Sequence, residues 1–534
     1  MKQLYKSLLI LPVLLSLNSC SDDFLNRPPM GVFTEDNFFL SPDAGFNSVV
    51  KVYQTLNDFY GYEAPRAELG NMSTDDSEKG GSDAGDRPWV TDIGAGRALS
   101  TNTSLANYWS TLYLGIGNAN IALEQIPINP LVDASGYRIS DEVKARYIAE
   151  LKFLRSFFYF ELVKVFGGVP LLDKTLTVKD IPSLARATEE ESFLFIMKDL
   201  DEAEAEVNLP SKSALPANEL GRITKEAVWA MQAKVYMFFA KDDPELFVKA
   251  RDAAKKVINS GNYTLEPRFQ SLFLTNGYKS NESILVNIRG DDPGSFIYGS
   301  FIPIYTSPRG PTGAWGFDQP TQNLVDEFEA GDPRLLFTII EPGDKFSRNP
   351  GEEKLDFSSY PSTGYHNRKS YLPPNRRGLL GWGDDAWSYH IIRYADILLL
   401  YAESLIHTNG SAKDIADNIN LVRRRANNSR QDDVEAISRT RIIQNKNLPD
   451  VLQTADLTEA VRHERRVELA MEYNRFYDLK RWNIYVETMN EYSALPGSNN
   501  RGADFQKGKN EYFPIPQVEI DRSGGVIKQN KGYN

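Results

Sequence analysis

The residues of this chain that could do chemistry are mostly aromatic. Trp89, Tyr298, Tyr305, Trp315, Trp382 and Trp387 fall in stretches without helical periodicity, read here as loops. A tryptophan in a loop has two readings. It plugs a local core, or it offers a ligand a flat apolar face with a polar rim. Sugar rings have apolar faces and hydroxyl edges, so they suit the second reading where Asn, Asp or Arg stand beside the ring. Asp86, Arg87, Asn102, Arg309, Asp384 and Asp385 lie close enough in sequence to supply those groups. The number of loop aromatics favours a site over isolated plugs, but it does not say which of them form it.

Other chemistry is poorly provided for. No GxxxxGK[ST], HExxH, GxSxG or GxGxxG pattern occurs. His366, His390, His407 and His463 are scattered without metal-ligand spacing, and His407 and His463 are expected on helices. With 72 acidic residues, a carboxylate pair is always available, so it is no evidence for glycoside hydrolysis. No enzymatic activity is expected. Asp75, Asp76, Glu78, Asp83 and Asp86 lie within NMSTDDSEKGGSDAGDRPW, and hard cations such as calcium take about six to eight oxygens. No ordered spacing supports a structural calcium over a plain solvated loop, and no other cofactor is expected.

The start of the chain carries a different kind of chemistry. Lys2 and Lys6 precede a ten-residue apolar run, LLILPVLLSL, too short to span a bilayer about 30 Å thick. It has the size and flanks of an export signal ending at Leu17-Asn18-Ser19-Cys20. Cys20 is the only cysteine, so it makes no internal disulfide. The context resembles a bacterial lipobox, in which the cysteine is acylated and becomes the first residue; an ordinary signal peptide with a chance cysteine is the alternative. The following Ser21-Asp22-Asp23 resembles the acidic tag that exports some lipoproteins of Bacteroidetes to the cell surface.

The elements that must position these residues read as helices. Removing residues 1–19 leaves 515 and shifts the net charge from -12 to about -14, which disfavours nucleic acid as a partner. Residues 20–40 read as the tether, 41–260 as an N-terminal helical region, and 261–534 as a C-terminal region carrying the ligand-side loops and the final helices. The 3.6-residue period predicts helices within 41–60 and over 105–126, 141–166, 189–205, 225–240, 245–259, 321–330, 393–407, 411–427, 454–473 and 476–482. Thr188 with Glu191 reads as a capping box, Pro127 as a stop, and Gly167-Gly168 as a helix end. Residues 282–290 read as a strand or extended piece, 61–104 as a surface loop, and the last 25 residues as a short extended tail packed on the body. Arg155, Arg465, Arg466, Glu468, Glu472, Arg475 and Asp478 lie on strongly apolar helices and are expected to pair across them, because a buried unpaired charge is costly.

Several segments together resemble the SusD/RagB family of nutrient-binding surface lipoproteins. They are CSDDFLN (20–26), NYWSTLYLGIGNANIALEQI (107–126), AELKFLRSFFYFELVKVFGGVPLL (149–172), GRITKEAVWAMQAKVYMF (221–238), PTQNLVDEFEAGDPR (320–334), IIRYADILLLYAES (391–404), NLVRRRAN (420–427), VRHERRVELAMEYNRFYDLKRW (461–482) and YFPIPQVEI (512–520), in family order. The resemblance implies an all-α superhelix of tetratricopeptide-like helix pairs with long loop excursions. It implies a non-enzymatic, lipid-anchored protein on the outer face of the outer membrane. Such a protein captures an oligosaccharide and delivers it to a SusC/RagA-like TonB-dependent transporter. Some relatives serve peptides, and some are lids with little affinity of their own. Trp89 and Trp315 fall in the loop regions where family sugar sites place aromatics, a match of region and not of residue. The candidate ligand residues are thus Trp89, Trp315, Tyr298, Tyr305, Asn102, Arg309 and Trp382, with Cys20 for lipidation and Asp75, Asp76 and Asp83 as weak metal candidates.

Overall fold

Side-chain caps and glycine stops set most of the helix limits. The computed structural model describes residues 38–177, 179, 184–290, 299–309, 313–346, 363–372, 385–429, 437–438 and 447–533. Cys20, Tyr298 and Trp382 lie outside them. Helix α1 (Ala44–Tyr53) leads into α2 (Thr103–Ile128), capped by the Asn102 side chain, which accepts from the Leu105 N–H. Pro127 sits in its last turn, so the helix runs one residue past the expected stop. Ser140 caps α3 (Asp141–Phe166), and Gly167 ends it at φ 73°, a conformation open to glycine without strain. Thr188 and Glu191 form the expected capping box of α4 (Glu189–Ala205).

Thr224 caps α5 (Lys225–Phe239), and Asp243 with Pro244 opens α6 (Pro244–Asn259). In the second half come α7 (Tyr394–His407), α8 (Ala412–Asn427, capped by Ser411), α9 (Leu457–Glu468) and α10 (Arg475–Arg481). Neighbours pack in pairs: α2 on α3, α3 on α4, α5 on α6, and α7 on α8. The main apolar core runs from Phe39 to Ile527 and is densest on α3, where nearly every residue from Ala149 to Phe166 is buried. The architecture is the mostly helical one expected, and no helix among the described residues is long and apolar enough to cross a membrane.

Strands are few and short. β1 (Ser77–Gly80) pairs antiparallel with β3 (Phe317–Pro320), and β2 (Ser283–Asn287) pairs with β4 (Tyr389–Arg393). β1 corrects the reading of residues 61–104 as a surface loop. Phe59–Met72 forms consecutive helical turns, Ser77–Gly80 a strand, and both, with the turn between them, are largely buried, including Glu63, Arg66, Glu68, Asp75, Asp76 and Lys79. The tail also differs, because Gln517–Arg522 is helical, although it packs on the body through the Phe513 N–H bond to the Val165 carbonyl.

A lattice of buried ions holds the second half together. Arg334 bonds to Asp332 (2.7 Å), Glu464 (2.5 Å) and Glu468 (3.0 Å) with its side chain fully buried. Arg393 meets Glu282 (2.8 Å), Glu468 (2.5 Å) and Glu472 (2.7 Å), and Arg425 meets Glu282 and Glu468. Burial opposes the charge of Glu468, yet Arg425, Arg393 and Arg334 hold its carboxyl far below the usual range. The same lattice ends α9 early. The helix expected through Tyr473 stops at Glu468, whose carbonyl accepts from Lys369 Nζ (3.0 Å) and Arg393 Nη2 (2.7 Å) in place of a continuing turn.

Two predictions follow from the lattice. Glu468→Gln should lower the unfolding free energy by about 3–5 kcal/mol in urea titration, because it strands buried guanidinium groups; an unchanged midpoint would refute the lattice as a structural element. His463 gives a pH signature. Burial opposes its charge, but hydrogen bonds to Glu327 (2.6 Å) and Glu329 (3.2 Å) outweigh it and lift its pKa from 6.5 to about 9. A raised folded pKa means the contribution is full below about 6.5 and is lost as pH rises through about 9. His463→Gln should therefore flatten the alkaline decline in melting temperature across that window and leave the acid limb unchanged.

Candidate functional site

One cation organises the aromatic residues. Arg87 lies just before the short helix Pro88–Gly94, with a left-handed backbone at φ 49°. Its guanidinium stands over Tyr305 (5.0 Å), Phe317 (5.3 Å), Trp315 (5.4 Å), Tyr60 (5.5 Å) and Phe59 (5.8 Å). Contacts of a cation with ring faces at such distances are attractive, more so when desolvated. Glu68 supplies the counter-charge at 3.7 Å and accepts a 2.9 Å hydrogen bond from the Tyr305 hydroxyl. Burial lifts the Glu68 carboxyl above its usual value, against the pull of Ser104, Arg87 and Tyr305.

The rings brace one another. Trp315 meets Phe59 (5.9 Å) and Tyr305 (6.1 Å) edge-on, and Tyr305 stacks on Phe317 at 4.6 Å. The Trp315 backbone is held on both sides: its N–H donates to Ile304 and its carbonyl accepts from Arg309 Nη1 at 3.1 Å. Its neighbour Gly316 offers its carbonyl to Gly81 N–H. A side chain at Gly80, at φ 73°, would strike that same carbonyl, so glycine is required for β1 to lie this close to the Trp315 segment.

Three kinds of surface remain open: the Tyr60 ring, 60% exposed; the half-buried indole of Trp315; and the partly open guanidinium of Arg87. Two flat apolar faces around a polar fork suit a ligand with apolar faces and hydroxyl edges.

The sequence candidates divide accordingly. Trp315, Tyr305 and Arg309 come together, with Tyr305 beneath as support because it is wholly buried. It lies on a short helix, Ile302–Thr306, and not in a loop. Trp89 is also helical and packs, half-buried, against the main core, two residues from Arg87. Asn102 is committed to the cap of α2 and to the Trp89 carbonyl (2.9 Å). Trp387 is a core residue, stacked on Tyr389. Phe59, Tyr60, Glu68 and Phe317 were not among the candidates. The aromatic run Phe59-Tyr60-Gly61-Tyr62 was their one local signal, hidden at the end of an apolar helical pattern.

The acidic stretch is organised by protein cations. Asp75 accepts from Arg466 (2.8 Å) and Arg475 (2.9 Å), and Asp76 from Arg466 (2.8 Å). The Lys79 ammonium donates to the carbonyls of Asp83 (3.0 Å) and Asp86 (2.5 Å), the place a loop cation would take. The exposed Asp83 side chain accepts from Ser82 and from the N–H groups of Gly85 and Asp86. No group of three or more metal-ligating side chains occurs among the described residues. Lys79→Met should cost about 2–3 kcal/mol in urea unfolding, whereas a chelator should leave the wild-type melting temperature unchanged. A chelator-induced drop would restore the calcium reading.

Comparisons with known proteins agree along the chain. The family described as "SusD family" matches residues 222–533, and "Starch-binding associating with outer membrane" matches residues 40–237. SusD-like protein P2 of Formosa agariphila is 24% identical and covers 98% of both chains. Starch-binding protein SusD of Bacteroides thetaiotaomicron is 23% identical over 74% of each. Among solved structures, a laminarin-binding SusD-like protein superimposes with a TM-score of 0.72 at 25% identity, covering 92% of this chain and 99% of its own. The surface glycan-binding protein A of Bacteroides thetaiotaomicron in complex with laminarihexaose gives 0.74 at 21% identity, covering 91% and 99%.

Proposed function

The chain belongs to the SusD family, and from that premise we propose that it is a non-enzymatic glycan-binding lipoprotein of the outer-membrane surface. It captures an oligosaccharide on the Arg87-centred aromatic platform and passes it to a SusC-like TonB-dependent transporter. The observation that carries the reading is the platform itself, with exposed Tyr60, partly buried Trp315 and one guanidinium fork between them. The solved relatives support a saccharide ligand, since one binds laminarin and another holds laminarihexaose. Acylation at Cys20 keeps the protein at the membrane, with residues 20–40 as the tether.

Binding in this reading is mostly ring stacking, with Arg87 and the Tyr60 hydroxyl meeting sugar hydroxyls. Stacking faces that are already fixed lose little entropy on binding. The test uses the chain from Ser21 onward, titrated calorimetrically with laminarin and a panel of other polysaccharides. Tyr60→Ala and Trp315→Ala should each weaken binding by about tenfold, an aromatic contact being worth roughly 1 kcal/mol beyond its area. Full affinity in both variants would overturn the platform. Co-purification of the transporter with the full-length protein from membranes tests the delivery step, and its absence would leave capture alone.

A further inference from the structure

An open groove of about 560 Å³ lies between α1, the Leu220–Arg222 turn and β2. That is within the roughly 300–1,000 Å³ of a ligand-binding pocket. Its floor is aliphatic, with Val50, Leu285, Val286 and Ile288 among the lining residues. Along one side runs a polar ledge of Lys51, Gln54 and Asn57. These residues recur every third position as α1 tightens into the 3₁₀ turn Gln54–Asn57, where side chains three apart eclipse. Asp58, two residues before the exposed Tyr60 ring of the platform, also lines the groove.

The ledge is uncommitted. Among the described residues, Lys51 and Gln54 are exposed and make no side-chain bond, and the Asn57 Oδ1 acceptor is buried without a donor. A buried acceptor left without a donor costs about 1–3 kcal/mol. The groove thus offers an apolar lining, exposed hydrogen-bonding groups and an edge at Asp58 next to the platform, which is what a second stretch of the same polymer needs.

We propose that the groove is an extension subsite that holds further sugar units of a polysaccharide chain whose first units lie on the Arg87 platform. It rests on the saccharide reading of that platform. It would make the protein select long chains over short ones.

The test compares laminaritriose, laminarihexaose and laminarin by calorimetry on the chain from Ser21 onward. Wild-type affinity should rise with chain length. Lys51→Ala with Gln54→Ala and Asn57→Ala should lower the affinity for laminarin about tenfold, the worth of a few neutral hydrogen bonds, and leave laminaritriose within twofold. Leu220→Trp, at a partly exposed groove position, fills the space without touching the ledge and should act in the same direction if the triple variant fails to fold. Equal affinity for all three ligands in the wild type, or groove variants that keep the full affinity for laminarin, would overturn the extension alone. Binding by none of the three and by no other polysaccharide of the panel would overturn the platform reading, and the extension with it.

Discussion

The structure depends on where Glu468 can be buried as an anion. A carboxylate and several guanidinium groups cannot leave water singly, since the loss of hydration exceeds what one partner returns. They enter the interior together or not at all. Arg334, Arg393 and Arg425 converge on Glu468 from the segment before Leu335, from β4 and from α8. That convergence fixes four parts of the second half relative to one another with directional bonds, which apolar packing alone does not provide. The chemistry also explains a local feature. The lattice consumes the last carbonyl of α9, and the chain turns into Met471 and Tyr473 at positive φ.

The lattice reaches the platform through its neighbours on α9. Arg466, two residues before Glu468, bonds Asp75 and Asp76, and β1 begins at Ser77. β1 pairs with β3 at Phe317, one of the rings around Arg87, two residues after Trp315. The site is therefore built at the seam between the halves. Residues 59–87 come from the first half and residues 305–317 from the second, and an ionic clamp joins them. A platform assembled this way is stiff, because each ring is held by an element anchored elsewhere.

Local sequence carried the helices and missed the seam, for a physical reason. Periodicity, the Thr188–Glu191 box and the Gly167 stop depend on residues within four positions of each other, so α3, α4 and α8 were legible almost to the residue. The stretch from Glu63 to Lys79 reads as a solvated loop because it is polar. The carboxylates of Asp75, Asp76 and Glu78 are buried with Arg466, Arg475 and Arg501, which arrive from about 400 residues away. No local rule contains that information. The arginines and carboxylates of α9 and α10 were legible as partners for burial because their helices were too apolar to leave them in water. Their mates on β1 and its approach were not.

The same reasoning explains why Trp315 and Arg87 were visible as types and Tyr60 was not. A tryptophan in a glycine-rich loop stands out, but a tyrosine at the end of an apolar helix looks like core. Its exposure follows from the turn at Asp58, whose carboxylate accepts from Gly61 N–H and the Thr111 hydroxyl and so redirects the chain. A Cβ at Gly61 would collide with both Thr111 and Asp58. One glycine and one carboxylate therefore decide that Phe59 points inward while Tyr60 faces solvent beside Arg87. The solvent-facing ring is set by a turn that carries no ligand chemistry of its own.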